Sequence, residues 1–293
     1  MRVLVIGGTG FIGPWVVRQL CAAGCDVTVF HRGEHCAALP SQVREILHPS
    51  AAMPVVDFPP QVRELRPEVL IHMIAMGQAD ARAAAHAFAG SVKRFVVLSS
   101  GDVYHAYGKF TGLEQGPVDN QPLTEEAPLR TILYPYRARA GSPDDWTYNY
   151  EKILVEREFL DKADSAATVL RLPKVYGPGS NSNLESVYSF RNHPNWRWTH
   201  GYVENVAAAI VLAALDSRAA GRIYNVGEAN TPTIRERLLT LPESTAEPAA
   251  DSGYHFDHDI AYDTERIRQE LGYREPVDYA GTIRRTLTGH TDL

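Results

Sequence analysis

The sequence predicts an α/β chain, a doubly wound parallel sheet with a small, discontinuous C-terminal part. Three observations predict it. The apolar, β-branched run Arg2–Ile6 passes through glycines into an apolar-periodic segment, Phe11–Ala23, and then into a second apolar run, Asp26–Phe30. Strand, helix, strand in that order implies a right-handed crossover between parallel neighbours. Two further runs, Val69–Ile74 and Phe95–Leu98, are apolar throughout, as strands covered on both faces are. The Ala-rich stretch Ala79–Phe88 supplies the helix between them.

The remaining elements follow in order. Gly24 is placed to close the first helix, and Val43–Leu47 reads as a third strand. Residues 101–147 are rich in Gly and Pro and longer than a simple connection, so 108–146 is a candidate lid or binding segment. Helical periodicity returns over Tyr148–Lys162, with Ile153, Leu154, Phe159 and Leu160 toward the core. Ala167–Leu172 is a strand, 173–203 is irregular, Glu204–Leu215 is a helix and Ile223–Val226 a strand. Thr231–Leu239, Thr264–Leu271 and Val277–Leu287 are the last helices, and the polar stretch 242–253 is a linker. The expected division is 1–172 with 204–228 for a dinucleotide-binding domain, and 173–203 with 229–293 for a substrate-binding part.

Composition narrows the function. The chain has 293 residues, 44% hydrophobic and 22% charged, with a net charge of −6. That balance speaks against a general phosphate-backbone binder, so no nucleic-acid partner is expected. No apolar run reaches the roughly 18 residues of a membrane span, and the first apolar run stops at glycine, unlike a leader. Cys21, Cys25 and Cys36 are few and odd in number and have no histidines at ligand spacing. They read as small hydrophobes in a reducing cytoplasm, with neither disulfide nor metal site.

The first chemical signal is Gly7-Gly8-Thr9-Gly10-Phe11-Ile12-Gly13, between a strand and a helix. Glycines at Gly7, Gly10 and Gly13 let backbone amides approach a pyrophosphate at the positive end of the following helix. Thr9, Phe11 and Ile12 belong to the same cradle. The alternative is a tight turn with no ligand. At the end of the second strand stand His31 and Arg32, with no acid before Glu34. An acid there suits the ribose of NAD and an arginine the 2′-phosphate of NADP, so NADP is expected over NAD. If Arg32 only stacks on adenine, NAD stays open.

The second signal is Tyr148-Asn149-Tyr150-Glu151-Lys152. Residues four apart on a helix share a face, which brings the Lys152 ammonium beside the Tyr148 phenol and favours proton transfer. Ser99-Ser100 at the end of the strand near residue 98 offers a hydroxyl to a substrate oxygen. YxxxK alone is weak; in order after GxxGxxG it is strong.

With these motifs the chain resembles an extended, atypical short-chain dehydrogenase/reductase of the NAD(P)-dependent epimerase/dehydratase family, with a Rossmann sheet. The resemblance rests on GGTGFIG, LSSGDVY (98–104), YxxxK, LRLPKVYGPG (170–179), GYVENVAAAI (201–210) and YNVG (224–227), which cover nearly the whole chain. It implies Tyr148 as acid/base, Lys152 as its partner that also binds the cofactor ribose, and Ser100 as the substrate-orienting hydroxyl. Tyr150 is the competing phenol; on a helix its ring faces elsewhere. The resemblance also implies a homodimer paired through Ala79–Phe88 and Tyr148–Lys162.

Departures from the family pattern limit the substrate. Lys174 stands where asparagine is common and is either an anion contact or a solvated loop residue. Gly101-Asp102 replaces the acidic pair of dehydratases, which counts against dehydration; Asp102 then caps or braces its loop. His48-Pro49-Ser50 follows the third strand where many relatives carry an acid. Arg191, Arg197, Trp196 and Trp198 either grip a nucleotide diphosphate or, for the tryptophans, pack a satellite core. Arg137 and Arg139 are further anion candidates. The sequence therefore reads as an NAD(P)-dependent oxidoreductase or epimerase acting on a secondary alcohol or ketone of a sugar or nucleotide-sugar-like small molecule. Simple NADP-dependent carbonyl reduction is the alternative. A cofactor-binding regulator or RNA-associated relative with vestigial catalysis is the alternative of another class.

Overall fold

The computed structural model describes residues 1–35, 37–48, 53–162, 166–179, 184–245, 247–248 and 253–289. Cys36, Pro49, Ser50 and part of the 242–253 linker lie outside the described residues. In chain order the strands are β1 (Arg2–Ile6), β2 (Asp26–His31), β3 (Arg44–Leu47), β4 (Val69–His72), β5 (Arg94–Ser100), β6 (Ala166–Leu172), β7 (Lys174–Tyr176), β8 (His200–Tyr202) and β9 (Ile223–Asn225). The helices are α1 (Gly13–Ala22), α2 (Pro60–Arg63), α3 (Gln78–Ala87), α4 (His105–Phe110), α5 (Lys152–Lys162), α6 (Glu185–Ser189), α7 (Val203–Leu215), α8 (Ile234–Leu238), α9 (Glu265–Leu271) and α10 (Tyr279–Thr288).

The first compact unit comprises 1–100, 133–171 and 207–224. The seven-stranded sheet runs β3-β2-β1-β4-β5-β6-β9. β1 pairs in parallel with β2 on one side and β4 on the other, with Ile6 opposite both Phe30 and His72. Chain order reverses between β1 and β4. In open α/β sheets the crevice beyond the carboxyl ends at such a point is the ligand site. Leu4, Ile6, Phe30, Leu70, Phe95 and Phe159 form part of one buried cluster with Ala81, Ala84 and Phe88 of the α3 segment.

Two expectations need correction. The helix after the long loop begins at Lys152, and Tyr148 lies in the turn before it. Side chains build that turn. Asp145 accepts from the Thr147 amide at 2.9 Å and its hydroxyl at 2.7 Å, and Glu151 accepts from the Ile153 amide at 2.9 Å, capping α5. Such local bonds compete with helix. Residues 101–132 belong to the second unit, not to the dinucleotide-binding part. Cys21 and Cys25 are free and half-buried.

The second unit comprises 101–132, 172–206 and 225–293. The parallel pair β7-β8 sets Lys174 opposite His200 and Tyr176 opposite Tyr202. Residues 101–132 are tied down within it. Glu114 accepts from the Thr131 amide at 2.7 Å and the Ile132 amide at 3.0 Å, and the Leu123 amide donates to the Ala261 carbonyl at 2.7 Å. The Asp102 backbone carbonyl accepts from Arg130 Nε.

His72 of β4 is fully buried, and neither ring nitrogen has a hydrogen-bond partner among the described residues. Burial, then the charge of Lys152, pushes its pKa down to about 3. The native ring therefore stays neutral while the unfolded chain protonates below about pH 6.5. The stability this neutral site supports is present above that pH and is lost as pH falls toward 3. The expected loss from this group between pH 7 and pH 5 is about 2 kcal/mol. It is read as the difference in urea-midpoint shift between the wild type and His72→Leu, and equal shifts in both proteins would refute it.

Candidate active site

The glycine turn after β1 opens onto a cavity of about 410 Å³ lined by Gly7, Thr9, Gly10, Arg32, Glu34 and Trp146, among others. Gly13 starts α1 because nothing larger fits: a Cβ there would sit 2.4 Å from the Gly8 carbonyl carbon and oxygen. Ile12 precedes the helix without a side-chain cap, and Pro14 offers no amide hydrogen, so the helix start favours an anion through its dipole together with the amides of the preceding turn. A cavity over a glycine cradle at an uncapped helix start fits a dinucleotide. Gly13→Ala is expected to weaken NADPH binding at least tenfold in a fluorescence titration, since the turn must spread. Unchanged affinity would show that the cradle does not hold the phosphates.

Arg32 at the end of β2 pairs with Glu34 at 2.6 Å. One cation and one acid therefore share this end of the cavity. A second cavity of about 600 Å³ shares Met53, Met76 and Trp146 with the first and is also lined by Gly77, Tyr134 and Asn149.

Lys152, buried at the start of α5, donates from Nζ to the Ala75 carbonyl at 2.5 Å and the Leu98 carbonyl at 3.1 Å. Its ammonium thus sits by the carboxyl ends of β4 and β5, where Ser100 ends β5. Tyr148 is half-buried. The Arg137 guanidinium lies 4.7 Å from its ring centroid, and Arg137 Nε donates to the Tyr148 carbonyl at 3.1 Å. Tyr150 is 8% exposed and packs on Tyr136 and Trp146. Lys152 Nζ is 5.5 Å from the Tyr150 ring centroid.

Three supports of this site escape sequence reading. Gly77 approaches the Tyr148 turn so closely that a Cβ would stand 2.4 Å from the Asn149 carbonyl oxygen, and the Glu151 amide donates to the Met76 carbonyl at 2.9 Å. Asp80, fully buried, accepts from the Met76, Gly77 and Ala81 amides at 2.8, 3.0 and 2.9 Å. Burial pushes its pKa up, against those amides and Lys152. An acid three residues after a glycine at a helix start was the available signal for this cap, which is one-sided because glycine has no side chain to reciprocate. Behind β5, Ser99 Oγ donates to Glu156 at 2.5 Å, and Arg171 clasps Glu156 through Nε at 3.0 Å and a terminal nitrogen at 2.8 Å.

In the second unit, Lys174 Nζ lies 5.9 Å from the Trp198 ring centroid. Arg191 donates to the Tyr188 and Ser244 carbonyls, and Arg197 donates to the Thr231 carbonyl and faces Glu236 at 3.8 Å. Trp196 stacks on Phe110 at 4.8 Å and donates to the His258 carbonyl at 2.9 Å, as a satellite core requires. Among the described residues no group of three or more His, Cys, Asp or Glu could hold a metal ion, and no helix is long and apolar enough to cross a membrane.

Comparison with known proteins agrees with this architecture. The sequence model of the NAD dependent epimerase/dehydratase family matches residues 3–227. A curated relative, 2′-dehydrokanamycin reductase of Streptomyces kanamyceticus, is 31% identical over 188 residues, which are 62% of this chain and 45% of that protein. The matched region thus spans under half of the relative's length. Among solved structures, UDP-glucose 4-epimerase of Thermus thermophilus in complex with NAD is 20% identical with a TM-score of 0.68, covering 99% of this chain and 98% of that one. UDP-glucose 4-epimerase of Thermotoga maritima with UDP-glucose is 18% identical with a TM-score of 0.68, again covering 99% and 98%. At such identities the structures establish the fold alone.

Proposed function

The chain belongs to the NAD dependent epimerase/dehydratase family, and on that premise we propose that it transfers hydride at a secondary alcohol or ketone of a sugar or nucleotide-sugar, with NADP preferred over NAD. The observation that carries this reading is the Lys152 ammonium held at the ends of β4 and β5, in the same unit as the glycine cradle. A bound nicotinamide would supply or accept the hydride. The chain's own groups do the rest. Backbone amides at Gly7–Gly13 hold the phosphates, and Lys152 holds the ribose. Ser100 orients the substrate oxygen and Tyr148 moves its proton. Of the two phenols, Tyr148 is the more accessible, while Tyr150 is nearly closed off. The cavity of about 600 Å³ beside the cradle, lined by Asn149 next to Tyr148, is the proposed place of the substrate carbonyl.

Two outcomes share this chemistry. Epimerisation returns the hydride and consumes no cofactor, whereas reduction consumes one NADPH per turnover. The likeness to a protein named 2′-dehydrokanamycin reductase speaks for reduction. Product formation from keto-sugars and nucleotide sugars, with NADPH absorbance followed in parallel, separates them. A product formed without NADPH loss refutes reduction. No turnover of either class refutes the enzyme reading. A homodimer in the cytoplasm completes the proposal, and a monomer mass independent of concentration would overturn the dimer.

NADP preference rests on Arg32. Charge-assisted hydrogen bonds contribute roughly 1.5–3 kcal/mol, so Arg32→Ala is expected to raise the KM for NADPH about tenfold or more and leave that for NADH within about twofold. Glu34→Gln releases Arg32 and is expected to lower the KM for NADPH severalfold. The reverse pattern, with NADH affected by Arg32→Ala, would assign Arg32 to adenine.

A further inference from the structure

Tyr148 stands in the turn before α5, so no helix fixes the direction of its ring. Proton transfer is sensitive to that direction, since about 1 Å of misplacement costs on the order of a hundredfold in rate. A phenol that serves as acid/base from a turn needs another support. Among the described residues, the Tyr148 side chain meets one charged or aromatic neighbour, the Arg137 guanidinium, 4.7 Å from the ring centroid.

Arg137 holds this segment at three points. Its Nε donates to the Tyr148 carbonyl at 3.1 Å, a terminal nitrogen donates to Asn149 Oδ1 at 3.3 Å, and the planar group lies over the Tyr148 ring. A guanidinium suits this task. Its face stacks on an aromatic ring while its edge donates in fixed directions, which an ammonium on a flexible stem does not do.

The arginine is itself anchored, within the same compact unit. It opens the short helical turn Arg137–Arg139, and its amide donates to the Tyr134 carbonyl at 3.1 Å. Its guanidinium lies 3.7 Å from the Tyr134 ring centroid. Tyr134 has φ +59°, in the left-handed region that a bulky residue seldom occupies. Such a conformation persists only where the surroundings impose it. Here the Tyr134 amide donates to the carboxylate of Glu151, which is fully buried and immediately precedes Lys152. The strained turn is thus tied beside the ammonium and carries the guanidinium to the phenol.

We propose that Arg137 is the positioning residue of Tyr148, its stacked guanidinium fixing both the ring and the carbonyl of the turn so that the phenol is held toward the site. This role rests on the acid/base assignment of Tyr148 proposed above. The donors of Arg137 are directed at two oxygens of the chain, so it is an internal support and not the anion contact that the sequence alone allowed.

The test uses the full chain with its tyrosines carrying carbon-13 at the ring carbon that bears the hydroxyl. Tyr148→Phe assigns the Tyr148 signal by its loss. Arg137→Gln is expected to shift that signal and to lower kcat about tenfold to a hundredfold, with the Kd for NADPH within about twofold of the wild type. Arg137→Lys keeps the charge but neither the planar stack nor the Nε donor, so its kcat should fall between the two. Melting temperatures check the fold; where Arg137→Gln fails to fold, Arg137→Lys decides by the same two readouts. An unmoved Tyr148 signal, or a folded variant with wild-type kcat, would overturn the role. So would a raised substrate KM with kcat intact, which would make Arg137 a substrate contact. A wild type that turns over no carbonyl substrate strikes the hydride reading instead, and the Tyr148 signal then decides the role of Arg137 alone.

Discussion

Tyr148→Phe is expected to lower kcat by about 10²–10⁴-fold, the usual contribution of a positioned acid/base, while NADPH affinity stays within about twofold of the wild type. The substitution removes one hydroxyl and little else. The ring stays to pack beneath the Arg137 guanidinium, 4.7 Å away, and the Tyr148 carbonyl still accepts from Arg137 Nε. The turn that carries residue 148 is held by Asp145, Glu151 and the close approach of Gly77 to Asn149, none of which uses the phenol. Tyr150→Phe is the comparison. Its ring is packed by Tyr136 and Trp146, so its loss of a hydroxyl should cost only a few-fold. Because Lys152 Nζ lies 5.5 Å from the Tyr150 ring centroid, the opposite ranking would move the acid/base to Tyr150. Both variants retaining full cellular function would leave only the cofactor-binding regulator. The measurement is kcat on the carbonyl substrate of the wild type, with NADPH binding followed separately by fluorescence.

The parts of this site that were legible in the sequence are those encoded locally. The apolar runs of β1, β4 and β5 are buried on both faces, so their pattern needs no tertiary context. The glycine turn is likewise a local demand: the contact that forbids a Cβ at Gly13 is with Gly8, five residues away. Tyr148 shows where a local pattern misleads. Its spacing from Lys152 fits a helix, yet the Asp145 carboxylate takes the Thr147 amide just before it, the Glu151 amide donates to the Met76 carbonyl of another segment, and the helix starts late. What remained illegible is long-range. Nothing near residue 77 announces that it must meet Asn149. Nothing near Glu114 announces that it will gather the Thr131 and Ile132 amides and bind that stretch into the second unit.

The buried ion pair behind β5 is the support of the site most consequential for stability. Arg171→Met is expected to destabilise the fold by about 3–5 kcal/mol, the range for removing one partner of a buried ion pair. Arg171 and Glu156 are 2% and 3% exposed, and the arginine reaches both carboxylate oxygens. Without it the Glu156 carboxylate is left buried with the Ser99 hydroxyl at 2.5 Å, and a single neutral donor does not replace a guanidinium. Adding Glu156→Gln to Arg171→Met removes the stranded charge, so the double variant should recover a large part of the loss. Urea midpoints of the two single variants and the double give the coupling directly. A single variant within about 1 kcal/mol of the wild type would mean that water reaches the carboxylate. The same cluster joins β6 to α5 and β5. Glu156 stands one helical turn beyond Lys152, and Ser99 immediately precedes Ser100. Loosening it therefore moves the Lys152 ammonium and the Ser100 hydroxyl relative to each other. The folded fraction of Arg171→Met should turn over more slowly than the wild type, and a displacement of about 1 Å is enough to cost on the order of a hundredfold.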